Sequence, residues 1–277
     1  MADEQMRQAT VGDVVRVVHR RYDPATAEDW DTVGLICGDP DLPVRSVLLA
    51  VDATAQSVDE ALERGVQLLL VHHPLLLRPV SSVAAVEPAG RLIHRLIVGG
   101  CALLAAHTNA DSAADGVSQV LAELLGVDIS APVIPSHSDS RIGLGRIGDL
   151  VEPTTLSEFA DKVYDELPLT AHGLRIAGDL QRVVSRVAVC GGSGSDLLAD
   201  AARLGADVVV TADLKHHNAG DFLAAHDVAL IDVSHWASEW PWLSRAARLI
   251  ETGLAADGFQ VKAHVSTIVS DPWTARR

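Results

Sequence analysis

The sequence predicts an α/β fold of two similar lobes, each with a mainly parallel sheet flanked by helices. Two observations predict this class: short apolar runs alternate with amphipathic segments, and the alternation occurs in both halves of the 277 residues. Apolar runs of about four to eight residues are typical of strands that are buried on both faces. Their alternation with helices indicates strand–helix–strand units, which form parallel sheets.

The first lobe is predicted over residues 1–130. It begins with a helix over 10–21, which Thr10 is placed to cap. The apolar runs predict strands at 46–51, 66–71 and 101–106. Helical periodicity predicts helices at 57–64, 92–98 and 111–125. Gly65 and Gly126 follow two of these helices, at a position where glycine commonly ends a helix.

A connecting region over 131–180 separates this lobe from a second one over 181–277. The region is rich in proline and contains one helix, whose start is marked by the capping-box pattern of Thr155 and Glu158. In the second lobe, strands are predicted at 187–190, 208–211, 228–233 and 259–265. Helices are predicted at 196–204, 214–225 and 238–251.

The two halves of the chain repeat each other. A displacement of 140 residues places Val47 on Val187, Ala61 on Ala201 and Gly65 on Gly205. A displacement of 128 residues places His107 on His235. Two related lobes would explain the match, although α/β units also resemble one another in general.

Composition excludes several classes of function. The chain has 22 Lys and Arg against 37 Asp and Glu, a formal net charge of −15, so we expect neither a nucleic-acid surface nor an anionic membrane as partner. Three scattered cysteines do not form a disulfide framework, and no signal peptide or membrane-spanning run is visible, so a cytoplasmic protein is expected. Twelve histidines in an acidic chain with few cysteines indicate metal binding as a candidate function.

Metal-binding side chains follow three of the predicted strands. The adjacent pair His72 and His73 ends one strand; His107 and Asp111 follow a second, and His235 and Glu239 follow a third. Taken alone, each group has an ordinary explanation, as loop histidines or as acids favoured at a helix start.

Taken together, three imidazoles and two carboxylates exceed the ligands of a tetrahedral zinc site and suit two divalent ions that share a bridging carboxylate. Such a pair lowers the pKa of a bound water. The donor set accepts Zn, Mn, Fe, Co or Ni.

The order of motifs resembles the NIF-three-like dinuclear metal-centre family, which is often labelled GTP cyclohydrolase I type 2. The resemblance runs the length of the chain and is carried by the segments 28–35, 71–74, 107–111, 189–195, 213–217, 234–239 and 266–272.

The resemblance implies a metal site between the lobes, with Glu239 bridging the two ions. His73 and Asp111 would ligate one metal, and His72 and His235 the other. It further implies a homohexamer (a trimer of dimers), a short form without an inserted domain, and ring-opening hydrolysis of GTP with loss of formate.

Several residues receive weaker interpretations. His107 is a candidate for proton transfer alongside Glu239, or a structural histidine. Possible substrate contacts are Trp30, Asp31, Lys215 and His216. The glycine-rich segment 191–194 lacks the Lys and Ser/Thr of a phosphate-binding loop, which favours a tight helix entry.

Three other functions stay open at this point. The first is a non-catalytic metal-binding or regulatory protein, and the second is a metal-dependent phosphoesterase acting on another nucleotide. The third is a nucleotide-binding α/β domain that holds no metal.

Overall fold

A computed structural model describes residues 8–137 and 139–277, and it confirms the α/β class. The helices of these residues are α1 (Val11–Arg21), α2 (Ala55–Glu63), α3 (Pro88–Val98), α4 (Thr108–Ser112), α5 (Val117–Leu124), α6 (Leu156–Glu166), α7 (Leu198–Arg203), α8 (His216–Ala225) and α9 (His235–Ala256). The strands are β1 (Ala9–Thr10), β2 (Gly34–Cys37), β3 (Pro43–Val44), β4 (Ser46–Asp52), β5 (Leu68–His73), β6 (Ala102–Ala105), β7 (Val127–Ala131), β8 (Ile134–Pro135), β9 (Gly143–Leu144), β10 (Arg146–Thr155), β11 (Arg175–Ala177), β12 (Val183–Ser193), β13 (Val208–Ala212), β14 (Ala229–Val233) and β15 (Lys262–Val265).

The chain forms two compact units. The first comprises Met1–Ala110 and Leu243–Ser270, and the second comprises Asp111–Trp242 and Asp271–Arg277. Both units are discontinuous because β15 pairs with β4 and returns the last strand to the first sheet. The unit boundaries therefore differ from the continuous division into 1–130, 131–180 and 181–277.

The first unit contains a five-stranded sheet in the order β15-β4-β5-β6-β2. The first four strands are parallel, and β2 is the antiparallel edge. The apolar residues of its central strands β4, β5 and β6 are buried, and apolar residues of α2, such as Val58 and Ala61, belong to the same core.

The second unit contains a six-stranded sheet in the order β11-β14-β13-β12-β10-β7. Only its centre, β12-β13-β14, is parallel, since β10, β7 and β11 pair antiparallel. This sheet is therefore less parallel than the sequence predicted. Of the antiparallel strands, β10 and β11 come from the connecting region, and β7 comes from the segment just before it.

The internal repeat extends to strand register. In the first unit Val47 pairs with Leu68, and in the second Val187 pairs with Val208, each partner lying 140 residues further along. The α2–β5 and α7–β13 turns also match, because Gly65 and Gly205 both adopt positive φ, at 63° and 81°. The repeat therefore describes two strand–helix–strand units with the same backbone pairing.

Two predicted helices differ from the structure near the candidate ligands. The helix expected over 111–125 is split into α4 and α5, because Gly116 adopts an extended N-cap conformation and starts a new helix. Asp111 therefore lies near the end of α4 and does not open a long helix. In contrast, α9 begins three residues earlier than expected, at His235.

No helix of residues 8–137 and 139–277 has the length and hydropathy that crossing a bilayer requires.

Candidate metal centre

Three histidines cluster at the carboxyl ends of β5 and β6 in the first unit. His72, His73 and His107 each offer a ring nitrogen, and these nitrogens lie within 4.8 Å of one another. The ring centroids are 4.9 to 5.5 Å apart. Parallel strands bring their carboxyl ends to one edge of the sheet, and so residues far apart in the sequence meet here.

Each imidazole of this cluster is oriented through Nδ1. His72 Nδ1 lies 2.9 Å from the carbonyl oxygen of Ala106, and His73 Nδ1 lies 2.7 Å from Asp52 Oδ1. Because these oxygens accept hydrogen bonds, Nδ1 carries the ring proton and donates it, and Nε2 is the nitrogen that would ligate a metal. Hydrogen bonds of this kind fix the ring and raise its basicity in metal sites.

His107 has the same arrangement, with Nδ1 2.8 Å from Asp31 Oδ1. The Asp31 side chain is fully buried and also accepts hydrogen bonds from the amide and hydroxyl of Thr108. Burial by itself would raise the pKa of Asp31, but the hydrogen bonds from His107 and Thr108 hold that pKa well below its usual value. Asp31 therefore positions His107, and the contact between Asp31 and a substrate stays a prediction.

Trp30 remains on the surface beside this cluster. Its side chain is 59% exposed, and its ring meets His107 edge-on with a centroid distance of 5.9 Å. The structure is therefore compatible with the predicted contact between Trp30 and a substrate.

In the second unit, His235 and Glu239 lie one helical turn apart at the start of α9. His235 Nε2 is 2.9 Å from Glu239 Oε1, as the i, i+4 spacing predicts. Glu239 is 2% exposed, so its carboxylate is buried beside an imidazole. The helix begins here because Ser234 caps it, accepting a hydrogen bond from the amide of Ala237.

His235 is oriented as the first-unit histidines are, with Nδ1 2.7 Å from Asp213 Oδ2. The hydrogen bond from His235 lowers the pKa of Asp213. Among the described residues, Asp213 is the only one other than glycine with a positive φ, 58°. Aspartate tolerates this conformation, which aims its carboxylate back at the imidazole.

Gly192 makes room for this pair. A β-carbon at this position would lie 2.4 Å from Glu239 Oε1 and 3.1 Å from His235 Nε2. The residue also has a positive φ of 68°. Gly192 therefore allows close approach to the two side chains, while Gly194 is the N-cap of a short 3-10 helix that leads directly into α7, in agreement with the predicted helix entry.

Asp111 lies in an environment dominated by a buried guanidinium. Arg146 is 2% exposed and donates to the carbonyl oxygens of Ala113, Gly143 and Gly145 at 2.6 to 2.7 Å. Burial lowers the pKa of Arg146 to about 10, and the negative charge of Asp111 opposes this shift. Arg146 thus holds the backbone that follows α4 through the carbonyl of Ala113, and its positive charge compensates the negative charge of Asp111.

Thiolates do not belong to the donor set. Burial raises the pKa of Cys190 to about 12, and the charges of Asp111 and Glu239 add to the effect. Among the described residues, the side-chain groups that lie close enough together to hold a metal ion contain histidine and glutamate and no cysteine, so the available donors are imidazole and carboxylate.

Two of the substrate candidates, Lys215 and His216, differ in position. Lys215 lines a cavity in the second unit, whereas His216 is exposed at the start of α8 and does not line that cavity. Asp52 and Asp213, which orient His73 and His235, were not predicted. Both carry a signal in the sequence. Asp52 ends an apolar strand that pairs with the strand of His73. Asp213 follows an apolar strand that pairs with the strand before His235.

A sequence model of the Duf34/NIF3 (NGG1p interacting factor 3) family matches residues 9–272. The chain belongs to this family.

Relatives within the family cover almost the whole chain. A Streptomyces coelicolor protein named GTP cyclohydrolase 1 type 2 homolog is 43% identical over 267 residues, which are 96% of this chain and 94% of that protein. A Mycobacterium tuberculosis protein of the same name is 36% identical over 369 aligned positions, which cover 95% of this chain and 96% of that protein. Because this alignment is longer than 277 residues, that relative contains segments that this short form lacks.

Solved structures show the same fold. A Staphylococcus aureus protein superposes with a TM-score of 0.88 at 30% identity, over 98% of this chain and 100% of its own. A Bacillus cereus protein related to NIF3 superposes with a TM-score of 0.89 at 24% identity, over 96% of this chain and 99% of its own.

Proposed function

We propose that the chain is a dinuclear metal-dependent hydrolase whose substrate is a nucleotide. The metal ligands would be His72 and His73 from the first unit and Asp111, His235 and Glu239 from the second. The observation that carries this proposal is the shared orientation of His72, His73 and His235. Each donates Nδ1 to a carbonyl or carboxylate oxygen and is thereby set to ligate through Nε2.

The donor set fits divalent ions of the Zn, Mn, Fe, Co or Ni type, because it combines neutral imidazoles with carboxylates and excludes thiolate. Buried Glu239 beside His235 is the donor best suited to bridge two ions. Bound there, the ions would supply Lewis acidity and lower the pKa of a coordinated water.

His107 is the residue we assign to proton transfer. Its Nδ1 is hydrogen-bonded to the buried carboxylate of Asp31, which leaves Nε2 as the nitrogen that would take up and return a proton. Fixing the ring through Nδ1 also sets the direction from which Nε2 receives or returns that proton.

The names of the relatives point to GTP as the first substrate to test. Ring opening would release the imidazole carbon of guanine as formate and would consume two waters, one to open the ring and one to hydrolyse the formamide. We also propose the homohexamer that the family resemblance implies, which native mass spectrometry of the full chain would test.

The decisive experiment incubates the metal-reconstituted protein with GTP and measures formate, phosphate and metal content. We expect formate release in the wild type and in Glu63→Gln, an exposed carboxylate elsewhere in the chain, and none in folded Glu239→Gln. Phosphate without formate would indicate a phosphoesterase. Tight metal binding without turnover of any nucleotide would contradict the enzyme and leave a metal-binding protein.

A further inference from the structure

The glycine that makes room for Glu239 lies where the pairing of β12 with β13 is irregular. The register of the two strands shifts between Val189 and Ser193. Gly192 lies inside this irregularity, is buried, and has a positive φ of 68°. A buried amide or carbonyl group destabilises the fold unless it has a hydrogen-bond partner. The partners of Gly192 therefore decide whether this backbone conformation is held.

Two buried hydroxyl groups bind the peptide groups of Gly192. Its amide donates a hydrogen bond to Ser238 Oγ at 2.9 Å. Its carbonyl oxygen accepts one from Thr211 Oγ1, also at 2.9 Å. Ser238 and Thr211 are 1% and 0% exposed, so bulk water does not compete for these hydrogen bonds. The glycine is thus held from two sides, by α9 and by β13.

Ser238 also binds the first residue of α9. Its hydroxyl donates to the carbonyl oxygen of His235 at 2.7 Å while it accepts from the amide of Gly192. A hydrogen bond from serine to a carbonyl one turn earlier is common in helices and by itself has only a local effect. Here the same oxygen atom joins the start of the helix to Gly192, and the next residue along α9 is Glu239. Ser238 therefore connects the glycine to the helical turn that carries both candidate ligands.

Thr211 is the polar residue of a strand that is otherwise apolar, with the sequence Val-Val-Val-Thr-Ala. The glycine-rich segment 191–194 passes close to its hydroxyl. A β-carbon at Gly194 would lie 2.4 Å from Thr211 Oγ1, and the carbonyl of Gly192 accepts the hydrogen bond from the same oxygen. A valine would suit the packing of such a strand equally well, so the hydroxyl is the feature of this residue that needs a reason.

The position of Gly192 limits where the carboxylate of Glu239 can lie. A β-carbon at this glycine would be 2.4 Å from Glu239 Oε1 and 3.1 Å from His235 Nε2, and these two donor atoms are 2.9 Å apart. Any displacement of the glycine backbone would change the room that is left for both atoms. The hydroxyls of Ser238 and Thr211 oppose such a displacement.

We propose that Ser238 and Thr211 are positioning residues for the metal centre. Acting through Gly192, they hold the carboxylate of Glu239 beside His235 in the arrangement that ligates metal. The inference rests on the proposed function for the assignment of these two side chains as ligands, and it gives neither hydroxyl a contact with metal. Loss of hydrogen bonds that support metal ligands typically weakens metal binding about 10- to 100-fold. We expect the lower end, because each hydroxyl acts on the ligand through the backbone.

Thr211 offers a matched pair of substitutions. Thr211→Val keeps the shape of the side chain and removes the hydroxyl, whereas Thr211→Ser keeps the hydroxyl and removes a buried methyl group. Titration of the full chain with Co²⁺, followed by visible absorption, measures affinity and ligand geometry together. We expect Thr211→Val to weaken Co²⁺ binding about 10-fold and to change the absorption bands. Thr211→Ser should bind Co²⁺ like the wild type although its urea midpoint falls, because it loses buried packing.

Ser238→Ala should also weaken Co²⁺ binding about 10-fold. Ser118→Ala is its matched control, because Ser118 is 0% exposed and its hydroxyl accepts a hydrogen bond from the amide of Gly191 at 3.3 Å. This longer hydrogen bond holds the preceding peptide and not the glycine beside Glu239. The control should therefore keep the affinity and the absorption of the wild type.

Wild-type affinity and absorption in folded Thr211→Val overturn the inference, and so does an equal loss of affinity in Thr211→Val and Thr211→Ser. An equal loss in Ser118→Ala and Ser238→Ala overturns it as well. Formate release by the wild type alongside any of these results would leave the proposed hydrolase intact. If the variants lose Co²⁺ as expected but the wild type turns over no nucleotide, the positioning assignment stands and the proposed hydrolase fails.

Discussion

Gln67 and Asp207 occupy equivalent positions in the two strand–helix–strand repeats, and their side chains form the same hydrogen bonds with the backbone. Each accepts hydrogen bonds from two consecutive amides at the start of its repeat, at 2.8 and 3.2 Å in the first and at 2.8 and 2.7 Å in the second. The α2–β5 and α7–β13 turns and the strand registers also correspond. The backbone of the repeat is thus duplicated in detail.

The strand ends of the two repeats differ. Where the first repeat has the candidate ligand His73, the second has Asp213, which orients a histidine. Where the first has the orienting carboxylate of Asp52, the second has Gly192, which makes room for Glu239. The duplicated scaffold therefore supplies the same histidine–carboxylate hydrogen bond from positions that are not equivalent.

Among the substitutions that test this difference between the repeats, Gly192→Ala is expected to change metal affinity most. The new β-carbon would press on Glu239 Oε1, so metal affinity should fall about 100-fold, as at other sites whose supporting contacts are lost. Isothermal titration with Zn²⁺ measures the loss.

Gly65→Ala is the matched control. Its φ of 63° is similar to that of Gly192, but a β-carbon there meets nothing within 4 Å. Both variants should lose about 1 kcal/mol of stability from the left-handed backbone, and only Gly192→Ala should lose metal. Equal metal affinity in the two variants would refute the assignment of Glu239 as a ligand.

The orienting carboxylates give the next largest effect. Asp52→Asn and Asp213→Asn should each weaken metal binding about 10-fold, since each variant loses the charge that supports its imidazole. Competition with a chromophoric chelator gives both affinities. If one variant has no effect, the two hydrogen bonds are not functional equivalents.

Asp31→Asn tests the third imidazole–carboxylate pair through acid stability. Because the pKa of Asp31 is lowered in the folded protein, its contribution is complete above about pH 4 and is lost as the pH falls further. Asp31→Asn should cost about 1–3 kcal/mol at pH 7 and less in acid.

Urea unfolding at several pH values measures this dependence, with the exposed neighbour Asp29→Asn as the control. A constant difference between Asp31→Asn and the wild type from pH 7 to pH 3 would show that Asp31 carries no such linkage.

The smallest effect is expected from the side chains of Gln67 and Asp207, which accept the paired backbone hydrogen bonds. Gln67→Ala and Asp207→Ala each remove an acceptor of two backbone amides, and we expect losses of about 1 kcal/mol, larger for the charged Asp207. Urea midpoints at constant m-value give the two numbers. Metal affinity should not change in either variant, and a change would mean that the scaffold and the site are not separable.

The sequence predicted what periodicity and local chemistry control. It predicted the apolar strands of the two sheets, the helix capped by Thr155 and the pairing of His235 with Glu239 along α9. It missed features that depend on tertiary contacts. The break after α4 coincides with the buried guanidinium of Arg146, which binds the carbonyl of Ala113 from 33 residues away.

The candidate site shows the same limit. The five ligand candidates were visible because each follows an apolar strand. Asp52 and Asp213 were not, because their role comes from the pairing of neighbouring strands and from a positive φ. Asp31 was predicted only as a substrate contact, since the folded chain alone shows its carboxylate buried against Thr108 and His107.

Anomalous diffraction from crystals of the metal-reconstituted chain is the most direct test of the central claim, that two like scaffolds supply unlike ligands to one dinuclear centre. We predict two metal peaks per chain, with ligand atoms at about 2.0–2.2 Å that come from His72, His73, Asp111, His235 and Glu239. A single peak, or metals held by other residues while these five side chains make no metal contact, would contradict it.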